Sequence, residues 1–269
     1  MNVVEAVSIK LRHSPALCRA GWLWNLVRPA YDRLIEFLGR NGLERNFNGQ
    51  DSMLLHPKFR SLTEDYEPET WSLLRSEVRQ GDAVADIGCY IGMYTIALAR
   101  YVGPPGRVYA FEPNEANCAE TLNHLKLNQV EDRVELVHAA VGDKDGEVFF
   151  NGSTGIQGHI SLKADDESSL IPCLRLDTFL ADRSLDVLKI DVEGYEEFVL
   201  RGATALLNSP ERKPRTIFIE VHPYAWPELN CTSDSLIDLL EGHGYQIQDL
   251  DGYPVHAIER YGEIIAYRN

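Results

Sequence analysis

Four acidic residues in this sequence each close a short, mainly apolar run. They are Asp86 after Ala83-Val84-Ala85, Glu112 after Val108-Tyr109-Ala110-Phe111, Asp191 after Val187-Leu188-Lys189-Ile190, and Glu220 after Ile217-Phe218-Ile219. An acid at the carboxyl end of a buried strand faces the crevice where open α/β sheets bind ligands. After Asp86 comes Ile87-Gly88-Cys89-Tyr90-Ile91-Gly92, a glycine-containing turn that opens a helix. A dinucleotide site wants G-x-G-x-x-G, because its backbone must close on a pyrophosphate. Here the spacing is Gly88-x-x-x-Gly92, preceded by Asp86. That pattern suits a nucleoside that lacks phosphate and carries an ammonium group, and S-adenosylmethionine (AdoMet) is such a ligand. The residues point to a methyl donor rather than a hydride carrier, with an NAD-linked oxidoreductase as the weaker alternative. Glu112 falls about 20 residues beyond Gly92, where doubly wound sites place an acid on the ribose hydroxyls.

The remaining acids belong to the acceptor side. Asp191 is followed by Val192-Glu193-Gly194-Tyr195-Glu196, and Glu220 by Val221-His222-Pro223. A carboxylate inside an apolar run is costly unless it is paired, hydrogen-bonded or bound to a cation. Asp191 also suits the N-cap of the next helix, and the two roles are compatible. His222 lies two residues after Glu220 and on the same side of a continuing strand. Two mechanisms fit Asp191, Glu193, Glu220 and His222. One is general-base removal of the proton from an acceptor hydroxyl. The other is an oxygen-rich Mg²⁺ site formed by Asp191 and Glu220. The metal-free mechanism is the preferred reading. His159, which follows the two glycines of Gly155-Ile156-Gln157-Gly158-His159, is a further candidate, with an ordinary surface histidine as its alternative.

These residues need elements to hold them. Strands are expected at 83–87, 108–112, 134–141, 186–191 and 216–221, and helices at 91–101, 115–128, 195–207 and 233–243. Apolar strands alternating with helices imply a parallel sheet covered on both faces. Between Gly142 and Leu176 the expected helix is missing, and short antiparallel strands at 148–150, 160–162 and 171–174 take its place. Asp251-Gly252 marks a turn before a last strand at 264–267, which suits an antiparallel edge hairpin. Residues 14–40 have helical spacing, with Trp22 and Trp24 early in the stretch, and Asn46 to Pro57 reads as turn-rich. The division that follows is an N-terminal helical extension or cap over residues 1–80 and a catalytic domain over 81–269.

Composition narrows the partners. The 269 residues carry a net charge of −15, from 26 basic and 41 acidic side chains, which disfavours nucleic acid and other polyanions. The five cysteines are scattered, with no C-x-x-C pair, so neither a zinc site nor a disulfide framework is expected. No apolar run is long enough to span a bilayer, and the expectation is a cytoplasmic protein. The N-terminal helix is the candidate surface for a homo-oligomer.

Three motifs stand in order: Asp86-Ile-Gly-Cys-Tyr-Ile-Gly92, Phe111-Glu112-Pro113, and Leu188-Lys-Ile-Asp191-Val-Glu193-Gly194 followed by Glu220. Together with Arg201-Gly202-Ala203 they resemble the FkbM family of class I AdoMet-dependent methyltransferases over roughly Gly81 to Gly244. The resemblance implies a doubly wound, Rossmann-like sheet of seven strands in an α/β fold, mostly parallel with an antiparallel last strand. It also implies O-methylation, with sugar, polysaccharide or polyketide-type hydroxyls as acceptors. Carried over, Asp86, Gly88, Cys89, Tyr90 and Gly92 form the donor loop, Glu112 with Pro113 holds the ribose, and Asp143 lies near the adenine. Cys89 stands where the family usually has alanine, and it is small enough to fit. A non-catalytic AdoMet-binding scaffold remains the alternative, recognisable by Asp191 and Glu220 turned away from the donor.

Overall fold

The computed structural model describes residues 21–152, 158–161 and 168–268, with the side chains of 21–27 left aside. Its frame is a seven-stranded sheet built from β3 (Ala83–Ile87), β4 (Arg107–Glu112), β5 (Val134–His138), β10 (Val187–Ile190), β11 (Thr216–Val221), β12 (Tyr245–Gln248) and β13 (Gly262–Arg268). The order across the sheet is β12-β13-β11-β10-β3-β4-β5. All neighbours from β11 to β5 pair in parallel, and β13 runs antiparallel to both β11 and β12. The last two strands form the antiparallel edge hairpin that the sequence reading expects, and within it the last strand is the inner one. It inserts between β11 and β12, and β12 takes the edge. Register explains the insertion: Ile264 and Ile265 pair with Ile219 and Phe218, so a fully apolar stretch sits between two strands.

Alternation along each strand divides the core in two. Ala85 and Ile87 join Leu188, Ile190, Ile217 and Ile219 on one face, while Val84, Val187 and Phe218 pack on the other. The second face is covered by α3 (Met93–Val102), by α2 (Pro68–Glu77) and by a hairpin of β1 (Leu43–Phe47) and β2 (Asp51–Leu55). The sequence reading has turns where this hairpin lies. Asn48 and Gly49, both at positive φ, form only its tip, and Phe47, Met53 and Leu55 point inward on either side. Trp71 on α2 stacks on Phe47 with ring centroids 5.7 Å apart, and its indole donates to Asp51. Residues 43–78 thus share one core with β3, β10 and β11. The preceding helix α1 (Gly21–Leu38) contributes Ile35 and exposes Leu34, Phe37 and Leu38.

The first face is covered by α5 (Leu176–Leu180), α6 (Glu196–Arg201), α7 (Thr204–Leu207), α8 (Trp226–Leu229) and α9 (Ser233–Gly242), and α4 (Glu115–Leu127) packs against β4 and β5. The expected helix over 195–207 is two short helices, broken at Gly202, where an added Cβ would fall 1.9 Å from the Gly142 carbonyl oxygen. The insertion after β5 forms a second sheet, β6 (Ala140–Val141), β9 (Ser169–Leu174), β7 (Gly146–Asn151) and β8 (His159–Ser161), in that order. It is the small β insertion that the sequence reading expects. Residue 162 of its second expected strand lies outside the described residues. So do residues 14–20 of the first expected helix and the side chains of Trp22 and Trp24.

Candidate functional site

The chain turns one way from β3 to β4 and β5 and the other way from β10 to β11, so the sheet's switch point lies between β3 and β10. A cavity of ≈ 360 Å³ opens beyond these strand ends. Two tight loops make its floor. At Gly88 an added Cβ would sit 1.7 Å from the Asp191 carbonyl oxygen, and φ is +83°, so only glycine lets the loops after β3 and β10 touch. Glu193 and Gly194 both have positive φ, and a Cβ on Gly194 would strike Ala225 at 2.4 Å. This turn aims Glu193 into the cavity and returns the chain into α6. Glu67, Tyr90 and Glu193 all line the cavity and are all held at positive φ. Such strain persists only where surrounding structure over-determines the conformation.

One end of the cavity is formed by the first loop, Glu112, Pro113, and the apolar side chains of Ile87, Phe111, Val141 and Ile160. Glu112 is buried at the end of β4. It accepts hydrogen bonds from the backbone N–H of Tyr90 (2.9 Å) and Asn114 (2.9 Å) and from the Asn117 amide (3.2 Å). Burial pushes its pKa up to about 7 against those hydrogen bonds. The residues fit AdoMet: an apolar slot suits the base, and a fixed carboxylate suits the ribose.

Asp86 is placed elsewhere. The period of two in β3 turns Ile87 to the face that borders the cavity and Asp86 to the other, where it is fully buried. It accepts from the Thr95 hydroxyl at 2.7 Å and faces Lys189 Nζ at 3.9 Å, its cross-strand neighbour. Burial raises its pKa, opposed by Lys189 and Thr95. One carboxylate oxygen has no hydrogen-bond partner. Gly92 caps α3 with φ 82° and packs on Thr121; Cys89 is buried, donating its N–H to Phe111. Neither Asp86, Cys89 nor Gly92 is in the cavity wall, whereas Gly88, Tyr90, Glu112 and Pro113 are. Asp143 is exposed and outside the wall, which Ala140 and Val141 complete. His159 is exposed as well, because alternation in β8 turns Ile160 inward and His159 out.

The opposite end gathers Asp191, Glu193, Glu220 and His222 with Glu67, Tyr66, Tyr224 and Tyr261. Asp191, Glu220 and His222 each offer a ligand atom within 4.8 Å of the others. Asp191 faces Lys189 Nζ at 3.5 Å, and Tyr261 donates its hydroxyl to Glu220. Burial, with Asp191 adding repulsion, pushes the Glu220 pKa up to about 8. His222 is buried, which works to lower its pKa. Its hydrogen bond to Glu196 (2.7 Å) and the carboxylates of Glu196, Asp191 and Glu193 overcome burial and raise it to about 9. The sequence reading did not single out Tyr66, Glu67, Tyr224, Tyr261 or Glu196 as site residues. Only Glu67-Pro68, a proline-marked helix start, left a local signal. No helix among the described residues is long and apolar enough to cross a membrane.

Comparison with known proteins follows the same lines. The profile of the methyltransferase FkbM domain matches residues 86–247, more than half of the chain. The 31-O-demethyl-FK506 methyltransferase FkbM of Streptomyces tacrolimicus is 26% identical over 206 residues, covering 64% of this chain and 75% of that protein. Methyltransferase 1 of Beauveria bassiana is 26% identical over 144 residues, covering 44% and 57%. Among solved structures, methyltransferase FkbM from Methylobacillus flagellatus KT aligns with 20% identity and a TM-score of 0.46, over 78% of this chain and 52% of that one.

Proposed function

The chain belongs to the FkbM methyltransferase family, and from that membership we propose that it is an AdoMet-dependent O-methyltransferase acting on a hydroxyl of a sugar, glycan or other small metabolite. The observation that carries the O-methyl reading is the convergence of Asp191, Glu220 and His222 at one end of a cavity whose other end fits a nucleoside. A hydroxyl gains a methyl group readily only if its proton has somewhere to go. AdoMet, when bound, supplies a methyl group on a positively charged sulfur. Glu112 and the Gly88–Tyr90 loop hold that donor, the apolar slot excludes water from it, and the acceptor-end groups orient the hydroxyl and take its proton. Asp86 supports the loop from behind through Thr95 and Lys189.

We favour the metal-free mechanism over Mg²⁺ because the carboxylates already have partners: Lys189 on Asp191, Tyr261 on Glu220 and Tyr224 on Glu193 (2.5 Å). The scaffold alternative wants Asp191 and Glu220 turned away from the donor, and both line the cavity. Of the stretch 1–80 that the sequence reading sets apart as a cap, Tyr66 and Glu67 line the acceptor end of the cavity, which supports a capping role for that part, and α1 with its exposed Phe37 is the surface offered to a second copy. Among the described residues the wall contains no lysine or arginine and several carboxylates, which supports a neutral hydroxyl acceptor over a polyanion or nucleic acid. The four described cysteines are free and buried, which supports a cytoplasmic location. The test is label transfer from methyl-tritiated AdoMet to a panel of sugars and hydroxylated metabolites, with products identified by mass spectrometry. An O-methyl product, insensitive to chelator, is expected; label on nitrogen or carbon, or AdoMet binding with no transfer to any hydroxyl, would refute the reading.

A further inference from the structure

Behind the acceptor end sits a carboxylate that does not line the cavity. Glu196, in the first turn of α6, is completely buried. One oxygen accepts the Gly194 backbone N–H at 2.9 Å and faces His222 Nδ1 at 2.7 Å; the other accepts the Trp226 indole N–H at 2.9 Å. A backbone amide and an indole can only donate, so both oxygens already serve as acceptors, an arrangement that suits a proton on His222 Nδ1. The opposite ring nitrogen, Nε2, faces the cavity carboxylates, with Glu193 at 3.6 Å and Glu220 at 3.8 Å, beyond direct hydrogen-bond length. Tyr224 meets the imidazole edge-on at 5.8 Å between ring centres, and Tyr261 lies at 5.4 Å on a tilt.

We propose that Glu196 is a positioning residue: it fixes the imidazole of His222 so that Nδ1–H points inward and Nε2 is presented to the acceptor hydroxyl. This rests on the reading that a hydroxyl proton is removed at this end of the cavity. In the transfer, the acceptor oxygen bonds to the methyl carbon as the carbon–sulfur bond breaks, and the hydroxyl proton passes to His222 Nε2. Glu196 keeps its three contacts throughout and receives no proton. A buried carboxylate that holds an imidazole in one tautomer is known to matter for catalysis without itself reacting. Nothing in the local sequence marks Glu196 apart from Glu197, whose partners are Arg201 and Ser235. The turn at Glu193-Gly194 and the position of α8 select Glu196 for His222, while Glu197, also buried, turns to Arg201 and Ser235.

The test combines a tautomer measurement with kinetics on the full chain. Ring-¹⁵N histidine spectra at alkaline pH are expected to show His222 protonated at Nδ1 in the wild type and to lose that tautomer in Glu196→Leu. Calorimetry with S-adenosylhomocysteine is expected to give the same affinity for both proteins. Turnover of AdoMet with the hydroxyl panel should fall at least about 100-fold in Glu196→Leu, in kcat rather than KM. The same change on a His222→Asn background should cost nothing further. A folded Glu196→Leu that keeps Nδ1–H, or a loss that adds in full to that of His222→Asn, would overturn the proposal. Should Glu196→Leu not fold, the wild-type spectrum still decides, since an Nε2–H tautomer contradicts it. If the wild type binds donor but methylates no hydroxyl, the functional reading fails while the tautomer measurement still judges Glu196.

Discussion

At the residue scale, the two ends of the cavity make different demands on their carboxylates. Glu112 is held by three donors and should serve binding alone. Glu112→Ala is expected to weaken AdoMet by about 10- to 150-fold, from about 1.5–3 kcal/mol of charge-assisted hydrogen bonding, as read by calorimetry. The acceptor end instead couples activity to pH. A base must be deprotonated, and Glu220 and His222 hold their protons up to about 8 and about 9. Turnover is therefore expected to rise between pH 6 and about 9, falling about tenfold per unit on the acid side. Stability runs the other way. The raised Glu220 and His222 values mean that the folded state binds protons more tightly than the unfolded chain. Their contributions are complete below about 4.5 and 6.5 and are lost as pH rises through about 8 and about 9. Thermal unfolding should show the midpoint declining over that range, and Glu220→Gln should flatten the decline. A midpoint that rises toward pH 9 would contradict the assignment.

At the scale of elements, the site depends on how closely two strand ends approach. β3 and β10 are neighbours in register, and their loops touch where Gly88 meets the Asp191 carbonyl. Gly88→Ala introduces both a positive-φ penalty, about 1–3 kcal/mol, and a backbone clash. It should lower the unfolding midpoint and weaken donor binding together, because the clash displaces the Gly88–Tyr90 loop that holds the donor. A variant that unfolds as the wild type does would argue against this contact. Between the strands, Lys189 answers Asp86 and Asp191 at once, with Tyr94 against its ammonium at 4.7 Å. The lysine in the Lys189-Ile190-Asp191 motif is thus a counter-charge inside the sheet rather than a contact for substrate.

At the scale of the whole molecule, the N-terminal segment from Leu43 onward is part of the core. Phe47, Met53, Leu55 and Trp71 pack on Val84, Ile96 and Phe218, and Tyr66 and Glu67 reach the cavity from the same segment. Glu67 accepts from the Tyr94 hydroxyl at 2.8 Å, tying the segment to α3. Trp71→Ala removes a fully buried indole and its bond to Asp51, a loss of about 3–5 kcal/mol. The expected outcome is a single unfolding transition shifted down, with fluorescence and circular dichroism coinciding. Two separated transitions would mean that the hairpin folds apart from the sheet.

The amino-acid sequence by itself determined the parallel strands, their terminal acids and the glycine loop, because apolar runs closed by an acid and a turn are local patterns. It carried the methyl-donor reading and the family resemblance through the three motifs. What only the tertiary structure decided depends on direction and on distant partners. Asp86, Glu112, Asp191 and Glu220 look alike in sequence, yet alternation in β3 turns Asp86 into the core while the other three line the cavity. The hairpin at 43–55 was hidden because its turn residues lie close to inward side chains whose partners are far away in sequence. Glu196 and Glu197 are adjacent, and their separate roles exist only because His222 and Trp226 arrive from another part of the chain.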